Sequence, residues 1–279
     1  MLFLVSGANY FVMFVGWEGN ICCLKWIFNL SISDYQILIM NISLVKIKKR
    51  FFHIEGKIHS HKRIGPHNID TLQVIIGSLL GDGHLEKRSN GIGSRLIIEQ
   101  TNQNVEYLMW LHKYFYNRGY CSGLKPKIFK RIRKNNVIYY GIKFNTFTFS
   151  SLNWIHELFY SKDNVKQLPI HLLNCYLNPM TLAIWFMNDG SKLGSGFKIA
   201  TNCFKLIELE ELCKLLHNKF NLNCNLHKDK LNWTIYIKKT SAKDFSKLIE
   251  PYMINSMKYK LGIYSQYNKK KVKITNIRN

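Results

Sequence analysis

From about Ile69 onward the chain alternates between helical and strand-like runs, and the order of those runs repeats. In "IIGSLLGDGHL" the apolar residues Ile75, Ile76, Leu79 and Leu80 recur at helical spacing, and the run ends at Asp82-Gly83. "LAIWFMNDGSK", Leu182 to Lys192, is a second apolar helix, ending at Asp189-Gly190 and displaced from the first by 107 residues. A strand-like "RLIIEQT" follows the first Asp-Gly and "GFKIATN" the second. Helix-period runs come next, "NVEYLMWLHKYFYNR" and "LIELEELCKLLHNKF", the latter with Leu209, Leu212, Leu216 and Phe220 along one side. Alternating strands follow, "NVIYYGIKFN" and "LNWTIYIKK". In the second, Trp233, Ile235 and Ile237 share one face, and Thr234, Tyr236 and Lys238 the other. Each copy closes on a helix, "SLNWIHELFY" and "KDFSKLIEPYM". A repeat on this scale predicts two similar subdomains rather than a solenoid. The expected organisation is an extension over 1–68, a first subdomain over 69–165 and a second over 166–279.

The first of the paired helices has a costly composition. Gly77, Ser78 and Gly81 lie along one side, and a glycine inside a helix costs roughly 0.5–1 kcal/mol relative to alanine. The cost has a reason if the two Asp-Gly helices pack on a pseudo-two-fold axis. Gly77, Ser78 and Gly81, with Ala183 opposite, would then let the backbones approach. Asp82 and Asp189 would emerge side by side, repelling each other beside two negative helix ends. Such a pair calls for a cation, and hard oxygen ligands favour Mg²⁺, with Mn²⁺ as substitute. Paired divalent sites stabilise both oxygens of a phosphodiester displacement. Either helix alone reads as a buried helix with a glycine cap; the matched pair carries the catalytic reading.

Charge narrows the partner. Forty Lys and Arg against seventeen Asp and Glu give +23, which points to a polyanion, nucleic acid before an anionic membrane. Seven cysteines, without paired CxxC spacing, argue against a disulfide framework or a cysteine zinc site. His53, His59, His61 and His67 lie in a basic irregular stretch and are expected to be solvated or to face phosphate. The apolar start "MLFLVSGANYFVMFVGWEG" is a poor signal peptide and too short to span a membrane. Its first nineteen or so residues resemble subunit five of the proton-pumping NADH dehydrogenase, which implies an upstream exon read in frame into an intron and trimmed later. A chain beginning near Gly65 is therefore expected to suffice.

The motifs "IIGSLLGDG" and "LAIWFMNDG" resemble those of a single-chain LAGLIDADG homing endonuclease, and the resemblance runs from about Ile69 to Tyr264. "YLNPMTLAIWFMNDGSK" and "PYMINSMKYKL" are similar to monomeric enzymes encoded by organellar introns. The resemblance implies an α+β fold, αββαββα in each half. The motif helices would be central, and two four-stranded antiparallel sheets would form a saddle in the DNA major groove. It implies a monomeric, metal-dependent nuclease of the mitochondrion that cuts both strands and leaves 3′ overhangs. Asp82 and Asp189 would hold metal, helped by the carbonyls of Gly81 and Asn188; Asn188 departs from the aspartate common there. Lys166 and Lys260 would be active-site lysines, and Gln100 and Asn202 would order solvent. Lys130, Arg131, Arg133 and Lys134 would form a hairpin tip over phosphates, while the tail "NKKKVKITNIRN" and the stretch Lys46 to Arg63 add non-specific affinity. Lys143, Asn145, Lys198, Thr234 and Tyr236 are expected to read bases from alternating sheet positions. Two alternatives share the same surfaces: a maturase that binds its own intron RNA, and a non-catalytic DNA-binding protein.

Overall fold

The computed structural model describes the backbone of three N-terminal strands, then residues 63, 66–87, 91–132, 136 and 138–265. The chain divides into two compact units, Met1–Arg50 and Phe51–Asn279. In the first, β1 (Leu2–Ser6), β2 (Asn9–Val15) and β3 (Ile21–Leu24) pair antiparallel in that order. Their aromatic and β-branched content suits strands.

In the second unit the elements follow αββαββα twice. The first set is α1 (Ile69–Leu80), β4 (His84–Lys87), β5 (Ser94–Thr101), α2 (Val105–Asn117), β6 (Lys127–Ile132), β7 (Ile138–Asn145) and α3 (Asn153–Phe159). A short helix, α4 (Ile170–Tyr176), leads to the second set: α5 (Pro179–Asp189), β8 (Gly190–Leu193), β9 (Gly196–Ala200), α6 (Leu206–Phe220), β10 (Cys224–Asp229), β11 (Asn232–Ile237) and α7 (Lys239–Ile249). The antiparallel sheets run β4-β5-β7-β6 and β8-β9-β11-β10, the same topology in each half.

Local chemistry sets the helix starts. Asn178 accepts from the Thr181 amide at 2.8 Å, and Pro179 occupies the first turn of α5, where its missing N–H costs nothing. At the start of α1, Asp70 accepts from the Thr71 amide, from Tyr114 and from Arg118. Burial pushes its carboxyl up, but those bonds outweigh burial and hold it below the usual range. The strands alternate as their pattern predicts. Ser94, Leu96, Ile98 and Gln100 of β5 are buried, while Arg95, Ile97 and Glu99 face the open side. The core is continuous across both halves and includes Ile75, Leu79, Trp185, Phe186, Phe197 and Phe245. Among the described residues no helix is long and apolar enough to cross a membrane.

The structure corrects two expectations before α1. His67 is half-buried, not solvated, and is hydrogen-bonded to the Tyr120 hydroxyl at 2.6 Å and to Ser151 Oγ at 2.8 Å. Arg63 donates to the Thr148 carbonyl and lies 4.6 Å over the Phe147 ring. His53, His59 and His61 lie outside the described residues. A chain beginning near Gly65 therefore lacks an anchor that one beginning at Ser60 keeps. Thermal melting should find the shorter chain less stable by about 1–2 kcal/mol, for one cation–π contact and two hydrogen bonds, the second from Ser151 Oγ to the Arg63 carbonyl. Equal melting of the two would contradict this role for Arg63.

Candidate active site at the paired helix ends

α1 and α5 pack along each other, and glycine sets how closely. A Cβ on Gly77 would stand 2.7 Å from the Thr181 carbonyl oxygen and 2.8 Å from Ile184 Cβ. One on Gly81 would stand 2.6 Å from Asn188 Cβ. The close approach is therefore one-sided: glycines of α1 receive Ile184 and Asn188 of α5. Ala183 was expected at this contact. It is fully buried, but one position from Ile184, the residue Gly77 meets. Ser78 is buried with its hydroxyl unpartnered, and its backbone lies against Gly83.

α5 ends in Asp189, and Asp82 stands two residues past the end of α1. Asp82 is exposed and accepts from Gln100 Nε2 at 2.8 Å; the same nitrogen lies 3.3 Å from Asn188 Oδ1. Lys166 Nζ donates to the carbonyls of Gly81 (2.9 Å) and Gly83 (3.2 Å). Lys260 Nζ donates to those of Met187 (2.6 Å) and Asn188 (3.1 Å). An ammonium thus stands at the end of each motif helix, on carbonyls of α5 itself and on the cap of α1 and the turn after it, and opposes each helix dipole. Burial lowers both lysines, and Asp189 and Asp82 pull the other way. The lysines are 94 residues apart in sequence, yet each donates to the carbonyl of the residue before its aspartate, Gly81 or Asn188. Asn202, expected to mirror Gln100, is exposed in a turn; the strand register gives that position to Thr201.

Asp189 is the strained member. Burial and then the charge of Asp82 push its carboxyl up to about 7, against the opposing pull of Lys166 and Lys260. A carboxyl whose folded pKa exceeds its unfolded value of 3.8 holds its proton more tightly when folded. In chelator, stability should therefore fall as pH rises from about 4 to about 7. Asp189→Asn should flatten that slope and melt higher than the parent at pH 8. Parallel slopes in a melting series would contradict the placement of this carboxylate.

The helix-free faces of the sheets carry most of the residues expected to meet DNA. Lys143 and Asn145 share the face of Glu99, and Arg131 joins them across β6–β7. Glu99 pairs with Arg131 (2.5 Å) and Lys143 (3.5 Å), and both cations lie over the Phe129 ring. In the other half Lys198 pairs with Asp229 at 2.7 Å, and Tyr236 stacks on His227 with centroids 4.8 Å apart. Two expectations need correction. Lys130 lies opposite Tyr140, on the reverse side of the hairpin from Arg131. Thr234 points to the open face but is only 2 % exposed, and its hydroxyl donates to the His227 carbonyl. Arg133, Lys134 and the C-terminal tail lie outside the described residues. Glu99, Asp229 and His227 were missed, although strand parity alone puts them beside the chosen residues.

Comparison with known proteins agrees with this architecture. The profile of the LAGLIDADG DNA endonuclease family matches residues 72–245, more than half of the chain. Cytochrome b mRNA maturase bI2 of Saccharomyces cerevisiae is 40% identical over 241 residues, covering 83% of this chain and 57% of the maturase. The chain thus spans less than two thirds of that relative. Intron-encoded endonuclease ai4 of Dictyostelium discoideum is 39% identical, over 55% of this chain and 99% of its own. The solved structure of the homing endonuclease I-WcaI bound to its DNA recognition sequence superposes with a TM-score of 0.67 at 25% identity, covering 76% of this chain and 96% of that one. Two antiparallel sheets, two helices packed through glycine with an aspartate at or just past their ends, and a profile match over most of that region agree: the chain belongs to the LAGLIDADG DNA endonuclease family.

Proposed function

We propose that this protein is a site-specific endonuclease that hydrolyses both strands of DNA, leaves 3′ overhangs and promotes homing of its own intron. The observation that carries the reading is the juxtaposition of Asp82 and Asp189 at the ends of α1 and α5. Gln100 Nε2 reaches both Asp82 and Asn188, the residue before Asp189, and the charge of Asp82 helps push the Asp189 carboxyl up, on a chain of net charge +23. In this reading the protein acts as a monomer in the mitochondrion. Residues 69–165 and 166–279 are its halves, and 1–68 is an extension whose apolar start derives from an exon.

The donor chemistry fits Mg²⁺ or Mn²⁺. Among the described residues no group of three or more His, Cys, Asp or Glu could hold an ion. The available donors are two carboxylates and the carbonyls of Gly81 and Asn188, all hard oxygens, leaving positions for phosphate and water. Each carbonyl has a second lone pair beyond the one its lysine uses. A bound ion would supply Lewis-acid polarisation of the phosphate and an ionised water. The chain's own groups do the rest. Gln100 holds Asp82 in place, and Lys166 and Lys260 put positive charge beside the reacting phosphates.

Lys166→Ala and Lys260→Ala should each slow single-turnover cleavage about 10²-fold at saturating enzyme. Binding should change little across a salt series. A lysine that only touched backbone phosphate would instead lower affinity and cut the salt slope by about one.

The names of two relatives, cytochrome b mRNA maturases of S. cerevisiae and of Debaryomyces hansenii, support a second reading, in which the protein assists splicing of its own intron. The experiment is incubation of the full chain and Mg²⁺ with DNA spanning the intronless junction, beside a splicing reaction on its intron RNA. Double-strand cleavage blocked by chelator supports the nuclease. Splicing assistance without cleavage would replace it with the maturase.

A further inference from the structure

We propose that Asn104 is a positioning residue that orients Gln100 on Asp82, with no counterpart beside Asp189, so that the two strands are cut at different rates. The inference rests on the nuclease reading. Gln100 is 5 % exposed, and its amide must turn a donor to the Asp82 carboxylate, which only accepts. Asn104 holds the other end of that amide in place. Its Nδ2 donates to Gln100 Oε1 at 2.8 Å, which leaves Nε2 to face the Asp82 carboxylate. The relay lines a cleft of about 230 Å³ with Asp82, Glu99, Arg131 and Tyr139.

The second half lacks this device. Leu85, three residues after Asp82, pairs with Leu96; Lys192, three after Asp189, pairs with Phe197. Four residues beyond those partners stand Gln100, still in β5, and Thr201, just past the end of β9. Thr201 is 1 % exposed and its hydroxyl donates to the Trp233 carbonyl at 2.7 Å, away from Asp189. No described residue donates a hydrogen bond to Asp189. One carboxylate is therefore held by a fixed donor and the other is held by charge alone. Groups that orient a metal ligand usually matter about 10–100-fold in affinity or rate.

Asn104→Asp tests this. A carboxylate at 104 has no donor; it would accept Gln100 Nε2 and turn Oε1 toward Asp82, acceptor against acceptor. The full chain, bound to DNA with differently labelled strands, should cut its strands unequally. Asn104→Asp should slow one strand about 10–100-fold and the other far less. Electron paramagnetic resonance titration with Mn²⁺ should show weaker binding of an ion in the variant, while melting holds and DNA affinity falls less than about tenfold. Equal strand rates in the parent, equal slowing of both strands, or unchanged Mn²⁺ affinity would overturn the inference. A parent that binds DNA and cuts neither strand would overturn the nuclease reading instead, and the Mn²⁺ titration would still decide the role of Asn104.

Discussion

Asp82→Asn should leave DNA binding intact and lower cleavage by several orders of magnitude. The substitution keeps the shape of the side chain and removes its charge. Affinity is expected to come from the open faces of the two sheets, where Arg131, Lys143 and Lys198 lie, and not from the helix ends. Binding should stay within about 1.4 kcal/mol, a tenfold change, and tightens if anything, since a negative charge facing phosphate disappears. Asp189→Asn should behave alike toward DNA and in addition stabilise the free protein at neutral pH, because its carboxyl is pushed up to about 7 by burial and by Asp82. Filter binding and single-turnover rates on one preparation check both. A fully active Asp82→Asn enzyme would remove the carboxylate from the chemistry.

Gly81→Leu should fail for a different reason. The first atom of any side chain at 81 would stand 2.6 Å from Asn188 Cβ, closer than real Cβ atoms come. Overpacking of this kind typically costs about 1–3 kcal/mol, sometimes more. In a unit of this size each kcal/mol lowers the melting temperature by about 2–4 °C. The shift would also displace Asn188, whose carbonyl Lys260 holds, so stability and activity should fall together. Gly77→Ala gives the finer version. The helix gains about 1 kcal/mol of propensity, yet the added carbon meets the Thr181 carbonyl oxygen at 2.7 Å, so the variant should still be less stable. A Gly81→Leu protein that melts like the parent would mean the glycines serve something other than helix approach.

The repeat was legible because each element carries its own local signal. Apolar spacing marks α1 and α5, alternation marks β5 and β11, and the Asp-Gly pairs mark the helix ends. What the sequence hides depends on pairing between distant segments. Gln100 could be placed near the end of a strand, but not on Asp82 and Asn188 at once, since that needs the crossing of α1 and α5. Asn202 looked like its mirror because each stands near the end of a strand-like run. β5 has eight residues and β9 five, and the register moves the equivalent position to Thr201. Strand parity placed Thr234 on the open face correctly, but parity says nothing of a neighbour such as His227 covering it. Lys130 and Arg131 are adjacent in sequence, so no strand could turn both to one side. Ala183 was chosen for its size alone, whereas the glycines of α1 make room for larger partners.

The central claim is that the two motif aspartates hold the catalytic ion between them. Anomalous diffraction from crystals of the full chain bound to junction DNA and soaked in Mn²⁺ tests it most directly. The account predicts anomalous density in contact with the carboxylates of Asp82 and Asp189, beside the carbonyls of Gly81 and Asn188. Density elsewhere on the DNA-facing surface, with none between those carboxylates, would contradict it.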